Sequence, residues 1–190
     1  MSSRTRSILT PTLAAAILAV AVPTGVASAA PTTSASGAGA IVAPVVDRLL
    51  LADAVARSKW VTRSPIDDPV RERAVIDGAV AGASPASADR VRAGVRDQIE
   101  ASKTVQRGLF AGWRAAPSTA PRAASDLTAT RGRISALTSD IAARIADRDP
   151  HDPSCRADVA SATLHVVVDR GLTPLQTVAL VQAERSVCGL

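Results

Sequence analysis

Two cationic side chains on one predicted helix are the first residues of this 190-residue chain whose spacing suggests chemistry. Arg48 and Lys59 stand eleven residues apart, so on a helix they point within roughly 20° of each other and lie about 16 Å apart along the axis. Because long side chains can lean towards each other, the gap between their tips suits a small anion with more than one negative group. An ordinary solvated helix face could also carry such a pair, so the rest of the chain must decide.

Polar side chains on another predicted helix occupy positions where apolar ones are expected. Gln98, Ser102 and Gln106 follow one another at intervals of four residues along an apolar stripe. We expect these side chains to face inward as part of a site; the alternatives are that they are hydrogen-bonded core residues or that the stripe is rotated slightly outward.

Three more charged residues lie near predicted helix ends. Arg71 and Glu72 fall in the first turn of the helix that follows the loop leaving Lys59. Arg131 lies one turn before Ile134, at the edge of a buried stripe, where an arginine more often extends to solvent than binds a ligand. These residues complete a candidate polar set.

Hydrophobic periodicity predicts an all-α chain of about six helices, with a long third helix and no convincing strand pattern, repeat or Gly-rich phosphate loop. The predicted ranges are about 43–62, 69–82, 84 or 87 to 115, 126–147, a fifth helix that ends near 170, and 173–189. Asp68 before Pro69 marks the start of the second helix. Thr173 and Gln176 form a capping box at the start of the sixth.

The N-terminal segment has the pattern of a secretory signal peptide. Arg4 and Arg6 precede an apolar run from Leu13 to Val22, and the sequence Ala27-Ser28-Ala29 suits cleavage after Ala29. We therefore predict a signal peptide over residues 1–29, a flexible mature N-terminus over 30–40 and a single domain over 41–190, in a secreted or periplasmic protein. No other stretch is apolar enough to cross a membrane, so no membrane attachment is expected after cleavage.

Charge and aromatic content argue against a nucleic-acid-binding protein. Cleavage would remove two of the 22 basic residues and none of the 17 acidic ones, which leaves a net charge near +3. The charges are evenly interspersed, and Trp60, Phe110 and Trp113 are the only aromatic residues that could stack on bases. A core of small aliphatic residues instead favours closely packed helices.

Cys155 and Cys188 are the only cysteines, and an even count in an exported chain predicts one disulfide. A metal pair is the alternative, but His151 and His165 show no ligand spacing with either cysteine, so no metal site is predicted. The last two helices are expected to form a hairpin about Gly171, with one cysteine on each arm. An antiparallel arrangement would bring the cysteines together and close the open end of the hairpin.

Several spaced motifs, taken in order, resemble the all-helical chorismate mutases, and the exported members of that family in particular. The matching features are the spacing of the first helix, the segment PIDDPVRER from Pro65, and the pattern S-K-T-V-Q from Ser102 in a long third helix. Exported members share the signal peptide, a tryptophan after the helix-one lysine as in Lys59-Trp60, the run DLTATR before an active-site arginine, and two C-terminal cysteines. The resemblance covers nearly all of the mature chain, from about Val46 to Cys188.

The resemblance implies an isomerase that converts chorismate to prephenate by an intramolecular Claisen-type rearrangement, without a cofactor or a metal, and it implies a homodimer. The implied catalytic residues are Lys59 and Gln106, at the ether oxygen of the substrate; the implied substrate-binding residues are Arg48, Arg71, Glu72, Ser102 and Arg131. Arg48 and Arg131 match arginines that bind the carboxylates, and Arg131 takes the place that a partner subunit's arginine fills in domain-swapped relatives. Asp68 is a weaker match, because helix capping would explain it without a ligand.

Two positions depart from relatives in ways that affect the chemistry. Some relatives have Glu in place of Gln106, and a Glu must be protonated to donate to the ether oxygen, whereas an amide donates at any pH. The position of Glu72 varies among exported relatives, and Val75 replaces a glutamine that can serve instead, so the contact to the ring hydroxyl stays open between Glu72 and none. The alternative function is a non-catalytic exported helical protein that binds an anionic metabolite, which would not require the donor pair Lys59 and Gln106.

Overall fold

The computed structural model describes residues 37–124 and 126–189, which are helical in large part and form no strand. The predicted signal peptide and most of the predicted flexible N-terminus lie outside the described residues. Residues 37–40 belong to the predicted flexible N-terminus, and there Gly37–Ile41 form a 3-10 helix that packs against the helix Cys155–Asp169. A Cβ atom at Gly39 would lie 3.0 Å from the carbonyl oxygen of Asp158, so glycine permits this close approach.

The first predicted helix, 43–62, consists of two consecutive helices. α1 (Val42–Leu50) and α2 (Ala52–Thr62) are separated at Leu51, whose backbone stays in the right-handed helical region at φ −69° and ψ −13°. The Leu51 amide donates to the carbonyl of Arg48, three residues earlier, at 3.3 Å, which indicates a locally tightened turn. Counted as one interrupted helix, α1 and α2 bring the number of α-helices in the described residues to six, as predicted.

The remaining helices have bounds close to those predicted, except at the C-terminus. They are α3 (Pro69–Ala81), α4 (Ala88–Ala115), α5 (Thr128–Asp147), α6 (Cys155–Asp169) and α7 (Pro174–Ala183), with a short 3-10 helix at Pro117–Thr119. Local capping explains the starts of two of them: the Asp68 carboxylate accepts from the Arg71 amide at 3.1 Å, and Thr173 and Gln176 form the expected capping box. Gly171 follows α6 with φ +58°, a conformation that glycine adopts readily. Within the described residues, no helix combines the length and apolarity that spanning a membrane requires.

α4 is the central helix, and α2, α3, α5 and α7 pack against it. Its apolar stripe, which includes Val91, Val95 and Ile99, is buried as its periodicity predicts. α5 approaches closely at Gly94, where a Cβ atom would lie 2.4 Å from the Cδ1 atom of Ile145. The middle of α4 therefore lies among the helices that carry the candidate site residues.

The predicted disulfide between Cys155 and Cys188 is present, with the two Cα atoms 5.7 Å apart. In the loop-entropy account, a link between cysteines 33 positions apart contributes about 3 to 4 kcal/mol of stability. The predicted end of the last helix near residue 189 is wrong, because α7 ends at Ala183 and residues 184–188 form turns. There the Ser186 amide donates to the Asp97 side chain of α4 at 3.0 Å, a tertiary contact that replaces helical bonding.

Glu184 gives this end of the fold a pH-dependent stability. Its Oε2 atom accepts from the Thr163 hydroxyl at 2.8 Å, while its Oε1 atom is buried without a hydrogen-bond partner in the described residues. Burial raises the pKa of Glu184 from 4.5 to about 7. A carboxyl group whose pKa is raised by folding does not reduce the free energy of unfolding below pH 4.5. The reduction grows as the pH rises to about 7.

We expect Glu184→Gln to remove this reduction, because an amide is neutral at every pH and keeps an acceptor for Thr163. At about pH 8 the free energy of unfolding of the variant should exceed that of the wild type by at most about 3 kcal/mol, and at about pH 4 the two should be nearly equal. Urea unfolding at both pH values measures the difference. A difference in the free energy of unfolding of the same size at both pH values would show that the ionisation of Glu184 is not its cause.

Candidate active site

A cavity of about 870 Å³ opens among α2, α3, α4 and α5. It is lined by every residue that the sequence assigns to the site, namely Arg48, Lys59, Asp68, Arg71, Glu72, Ser102, Gln106 and Arg131. The loop between α2 and α3 contributes Ser64, Pro65 and Ile66 to the wall. Residues from five helices thus meet at one place, although they are spread over more than 80 positions of the chain.

Arg48 lies deepest among the cations of this cavity, with only 6% of the residue exposed. Its Nε atom donates to the Thr138 hydroxyl at 3.0 Å, and its Nη1 atom donates to the Gln98 backbone carbonyl at 2.9 Å. Burial lowers the pKa of Arg48 to about 10, and no carboxylate of the described residues pairs with it to oppose that effect. A buried cation without a counter-charge is costly, which favours an anionic ligand at this position.

Lys59 lines the cavity from α2 and is partly buried. Its ammonium group donates to the Ile66 carbonyl at 2.7 Å, so two of its three hydrogens remain for a ligand. Burial lowers the pKa of Lys59, and the nearby charge of Asp68 acts in the opposite direction. The hydrogen bond to Ile66 holds this donor in a defined position.

The three inward-facing polar residues of α4 serve two different purposes. Gln98 is a core residue, because its side-chain amide donates to the Ala183 carbonyl of α7 at 2.8 Å. Ser102 and Gln106 line the cavity, and the Gln106 Nε2 atom donates to the Ser102 hydroxyl at 3.2 Å. Gln106 is 4% exposed, and its Oε1 atom is buried without a partner in the described residues. The site therefore has an amide whose hydrogen-bonding capacity is only partly used.

Arg71 and Arg131 are the exposed cations of the cavity. Arg71 lies in the first turn of α3, and Arg131 lies in the first turn of α5. Of the cations that the sequence assigns to the site, Arg48 is buried, Lys59 is partly buried and these two arginines are exposed; Lys103, also in the wall, is a second buried cation. Such a gradient suits an anion that enters from solvent and has more than one negative group.

Two carboxylates also line the cavity, and the start of α3 engages both. Asp68 caps this helix by accepting from the Arg71 amide. Glu72 accepts from the Asp68 amide at 3.1 Å through Oε1, and its Oε2 atom lies 3.0 Å from the ammonium of Lys103. A ligand contact by Glu72 must therefore share oxygens that already accept hydrogen bonds.

Lys103 and Thr138 are among the polar residues of the cavity wall that were not assigned to the site from the sequence. Lys103 is four residues after Ile99 and seven before Phe110, both of them buried on α4, so it occupies an inward position where a lysine is unusual. This spacing could have identified Lys103 as a candidate site residue from the sequence. Thr138 orients the buried Arg48, but a threonine on a helix carries no distinctive sequence signal.

This arrangement can bind a small dianion and stabilise negative charge that grows near Lys59 and Gln106. Apolar side chains also line the wall, among them Val55, Ile99, Leu127 and Ile134. Residues 37–124 and 126–189 contain no cluster of three or more potential metal ligands.

Two curated proteins with similar sequences are secreted chorismate mutases. The one from Mycolicibacterium smegmatis is 37% identical over 153 residues, which cover 76% of this chain and 84% of that protein. The one from Mycobacterium tuberculosis is 31% identical over 152 residues, which cover 78% of this chain and 76% of that protein. The chain belongs to the secreted chorismate mutase family. A search of family models finds no match.

Solved chorismate mutases share the fold as well. The crystal structure from Burkholderia thailandensis aligns with a TM-score of 0.71 and 35% identity, covering 82% of this chain and 99% of that one. The structure from Burkholderia phymatum aligns with a TM-score of 0.71 and 33% identity, covering 79% of this chain and 94% of that one. The all-helical chorismate mutase fold and the isomerase activity predicted from the sequence are thus confirmed.

Proposed function

We propose that the cavity binds chorismate and rearranges it to prephenate, with Arg48, Lys59 and Gln106 in the central roles. The main support is the buried Arg48, which has no ion-pair partner in the described residues and shares its cavity with a fixed ammonium group and an amide. Chorismate carries two carboxylates and one carbon–oxygen bond that must break. A buried cation and two further donors match these needs.

The first task of the site is to hold the dianion in a reactive shape. The rearrangement is intramolecular, so it requires two carbons to be held close rather than a nucleophile, a general base or a metal ion. Arg48 would bind one carboxylate inside the cavity, and Arg131 would bind the other nearer to solvent. Arg71 would assist at a carboxylate, and Ser102 would donate near the ring carboxylate. Contacts at both ends would restrict chorismate to a folded, chair-like conformation.

The second task is to stabilise the ether oxygen as its bond breaks. Negative charge grows on this oxygen because the old bond breaks before the new carbon–carbon bond is complete, so fixed donors favour the transition state over the ground state. Lys59 keeps two free hydrogens, and the Nε2 atom of Gln106 keeps one after its bond to Ser102. Both donors are at least partly buried, where such bonds are stronger than in water.

We retain Glu72 as the proposed acceptor for the ring hydroxyl of the substrate. Its oxygens accept from the Asp68 amide and from Lys103, but each carboxylate oxygen has a further lone pair. Val75 lies one turn later on α3 and is apolar, so it offers no replacement.

Loss of the ultraviolet absorbance of chorismate tests the activity directly. The mature protein should consume chorismate, and acid treatment of the product should yield phenylpyruvate. A non-catalytic protein that only binds an anionic metabolite would leave the absorbance unchanged, even where calorimetry detects chorismate binding. That outcome would refute the proposed assignment of the site.

Gln106→Glu should make the activity depend on acid, because a carboxyl group donates to the ether oxygen only when it is protonated. We expect kcat near neutral pH to fall by a factor on the order of 100 and to recover as the pH is lowered towards about 5. The pH profile of kcat for the variant and the wild type measures this change. Parallel profiles would argue against a role for Gln106 at the ether oxygen.

We further propose that residues 1–29 are removed during export and that residues 41–190 form one domain, secreted or periplasmic. The relatives are named as secreted proteins, which supports the location but not the cleavage position. Mass spectrometry of the exported protein should place its first residue at Ala30. A homodimer is proposed from the family resemblance alone, and light scattering of the purified protein tests it.

A further inference from the structure

Lys103 is a buried cation in the wall of the proposed active site, and carboxylates surround it. Its side chain is 9% exposed. Its ammonium nitrogen lies 2.6 Å from Glu100, 3.0 Å from Glu72 and 3.1 Å from Asp67. One ammonium group thus links α4 to both the loop before α3 and the first turn of α3.

The three acids differ in what else they contact. Asp67 and Glu100 also contact Arg107, at 2.7 Å and 4.0 Å respectively. Glu72 pairs with no second cation in the described residues, and its other oxygen accepts from the Asp68 amide. Of these three acids, only Glu72 lines the cavity. Lys103 therefore neutralises the one acid of the group that faces the substrate.

We propose that Lys103 is a positioning residue of the enzyme, which acts through Glu72 and the start of α3 rather than on the reacting atoms. This inference rests on the proposed function of the cavity. By pairing with Glu72, Lys103 prevents an uncompensated negative charge from repelling a dianionic substrate. It also keeps the Glu72 carboxylate from pairing with Lys59, which would withdraw that ammonium group from the ether oxygen.

The same ion pairs hold the loop that orients Lys59. Asp67 directly follows Ile66, whose carbonyl accepts from the Lys59 ammonium at 2.7 Å. Lys103 contacts Asp67 at the end of this loop and Glu72 in the first turn of α3. Loss of Lys103 should therefore weaken substrate binding first and disturb the position of Lys59 second.

Lys103→Met removes the ammonium group and keeps most of the length of the side chain. We expect KM for chorismate to rise about tenfold and kcat to fall about threefold, because Glu72 then faces the cavity uncompensated. Arg107→Met is the matched control, since Arg107 contacts Asp67 and Glu100 without lining the cavity. It should change each constant by no more than about twofold.

The double variant Glu72→Gln/Lys103→Met separates a positioning role from a merely structural one. Neither position 72 nor position 103 then carries a charge, so this variant should fold even if Lys103→Met does not. Its KM should return to within about threefold of that of Glu72→Gln. A KM for Lys103→Met within about twofold of wild type would overturn the inference. So would a double variant whose KM is no lower than that of Lys103→Met, or than that of Lys103→Ala if Lys103→Met does not fold. Absence of turnover by the wild type would instead refute the proposed function itself.

Discussion

Lys59→Ala should lower kcat at saturating chorismate by about a thousandfold while changing KM far less. The ammonium group of Lys59 is proposed to contact the ether oxygen, which gains negative charge only as the reaction proceeds. Removing one preorganised donor from such a position typically costs about 2.7 to 4 kcal/mol in the barrier. We expect the cost of losing Lys59 to lie near the upper limit of this range, because its ammonium group is charged and partly buried.

Two other substitutions show whether the loss comes from the breaking bond or from charge alone. Arg57→Ala removes an exposed cation of the same helix, which pairs with Asp53 and does not line the cavity, so kcat should stay within about twofold of wild type. Arg131→Ala should mainly raise KM, because a carboxylate contact is present in the ground state as well as in the transition state. Near-wild-type kcat for Lys59→Ala would rule out its role at the ether oxygen.

The alkaline limb of the wild-type pH profile gives a second reading of the same residue. Burial lowers the pKa of Lys59 below the usual 10.5, so the free enzyme should lose this proton earlier than an exposed lysine does. The profile of kcat/KM reports groups of the free enzyme. We therefore expect kcat/KM to fall at a lower pH than the pH at which an exposed lysine loses its proton. Arg48, whose pKa burial lowers to about 10, contributes to the same limb.

Helix boundaries were predictable where residues close in sequence determine them. Asp68 caps α3 through the Arg71 amide, and Thr173 caps α7, so each start depends on contacts within four positions. The end of α7 depends instead on a contact between Ser186 and Asp97 of α4, which periodicity cannot reveal. The tightened turn at Leu51 likewise has no Gly or Pro to mark it.

Side-chain roles were predictable only as far as the direction in which a residue faces. The spacing of Gln98, Ser102 and Gln106 placed all three inward, yet Gln98 contacts α7 whereas the other two reach the cavity. Periodicity gives the buried face of a helix but not the neighbour that each position on that face meets. For the same reason, the acids around Lys103, and the absence of an acid beside Arg48 in the part of the chain that the structure describes, emerge only from the packed helices.

Arg48 leads to the second prediction with a large expected effect, in which activity and stability change in opposite directions. Arg48→Met should lower kcat/KM by a factor of about 30 to several thousand, since losing one partner of a buried charged contact costs about 2 to 5 kcal/mol. The same substitution should raise the free energy of unfolding by about 1 to 3 kcal/mol near neutral pH. The gain arises because the fold buries this guanidinium without a carboxylate partner in the described residues, and burial lowers its pKa to about 10.

Methionine suits this test because it fills much of the same volume and leaves few unsatisfied groups. Thr138 still donates to the Ile134 carbonyl at 2.7 Å, so its hydroxyl keeps a partner. The cost of the buried charge applies in full at every pH below about 10. Above that pH the folded state releases a proton that the unfolded state still holds, and the cost falls. Urea unfolding at neutral pH, with and without a dicarboxylate inhibitor, measures both effects: the inhibitor should stabilise the wild type much more than Arg48→Met. A variant that loses stability together with activity would show that Arg48 supports the fold rather than the substrate.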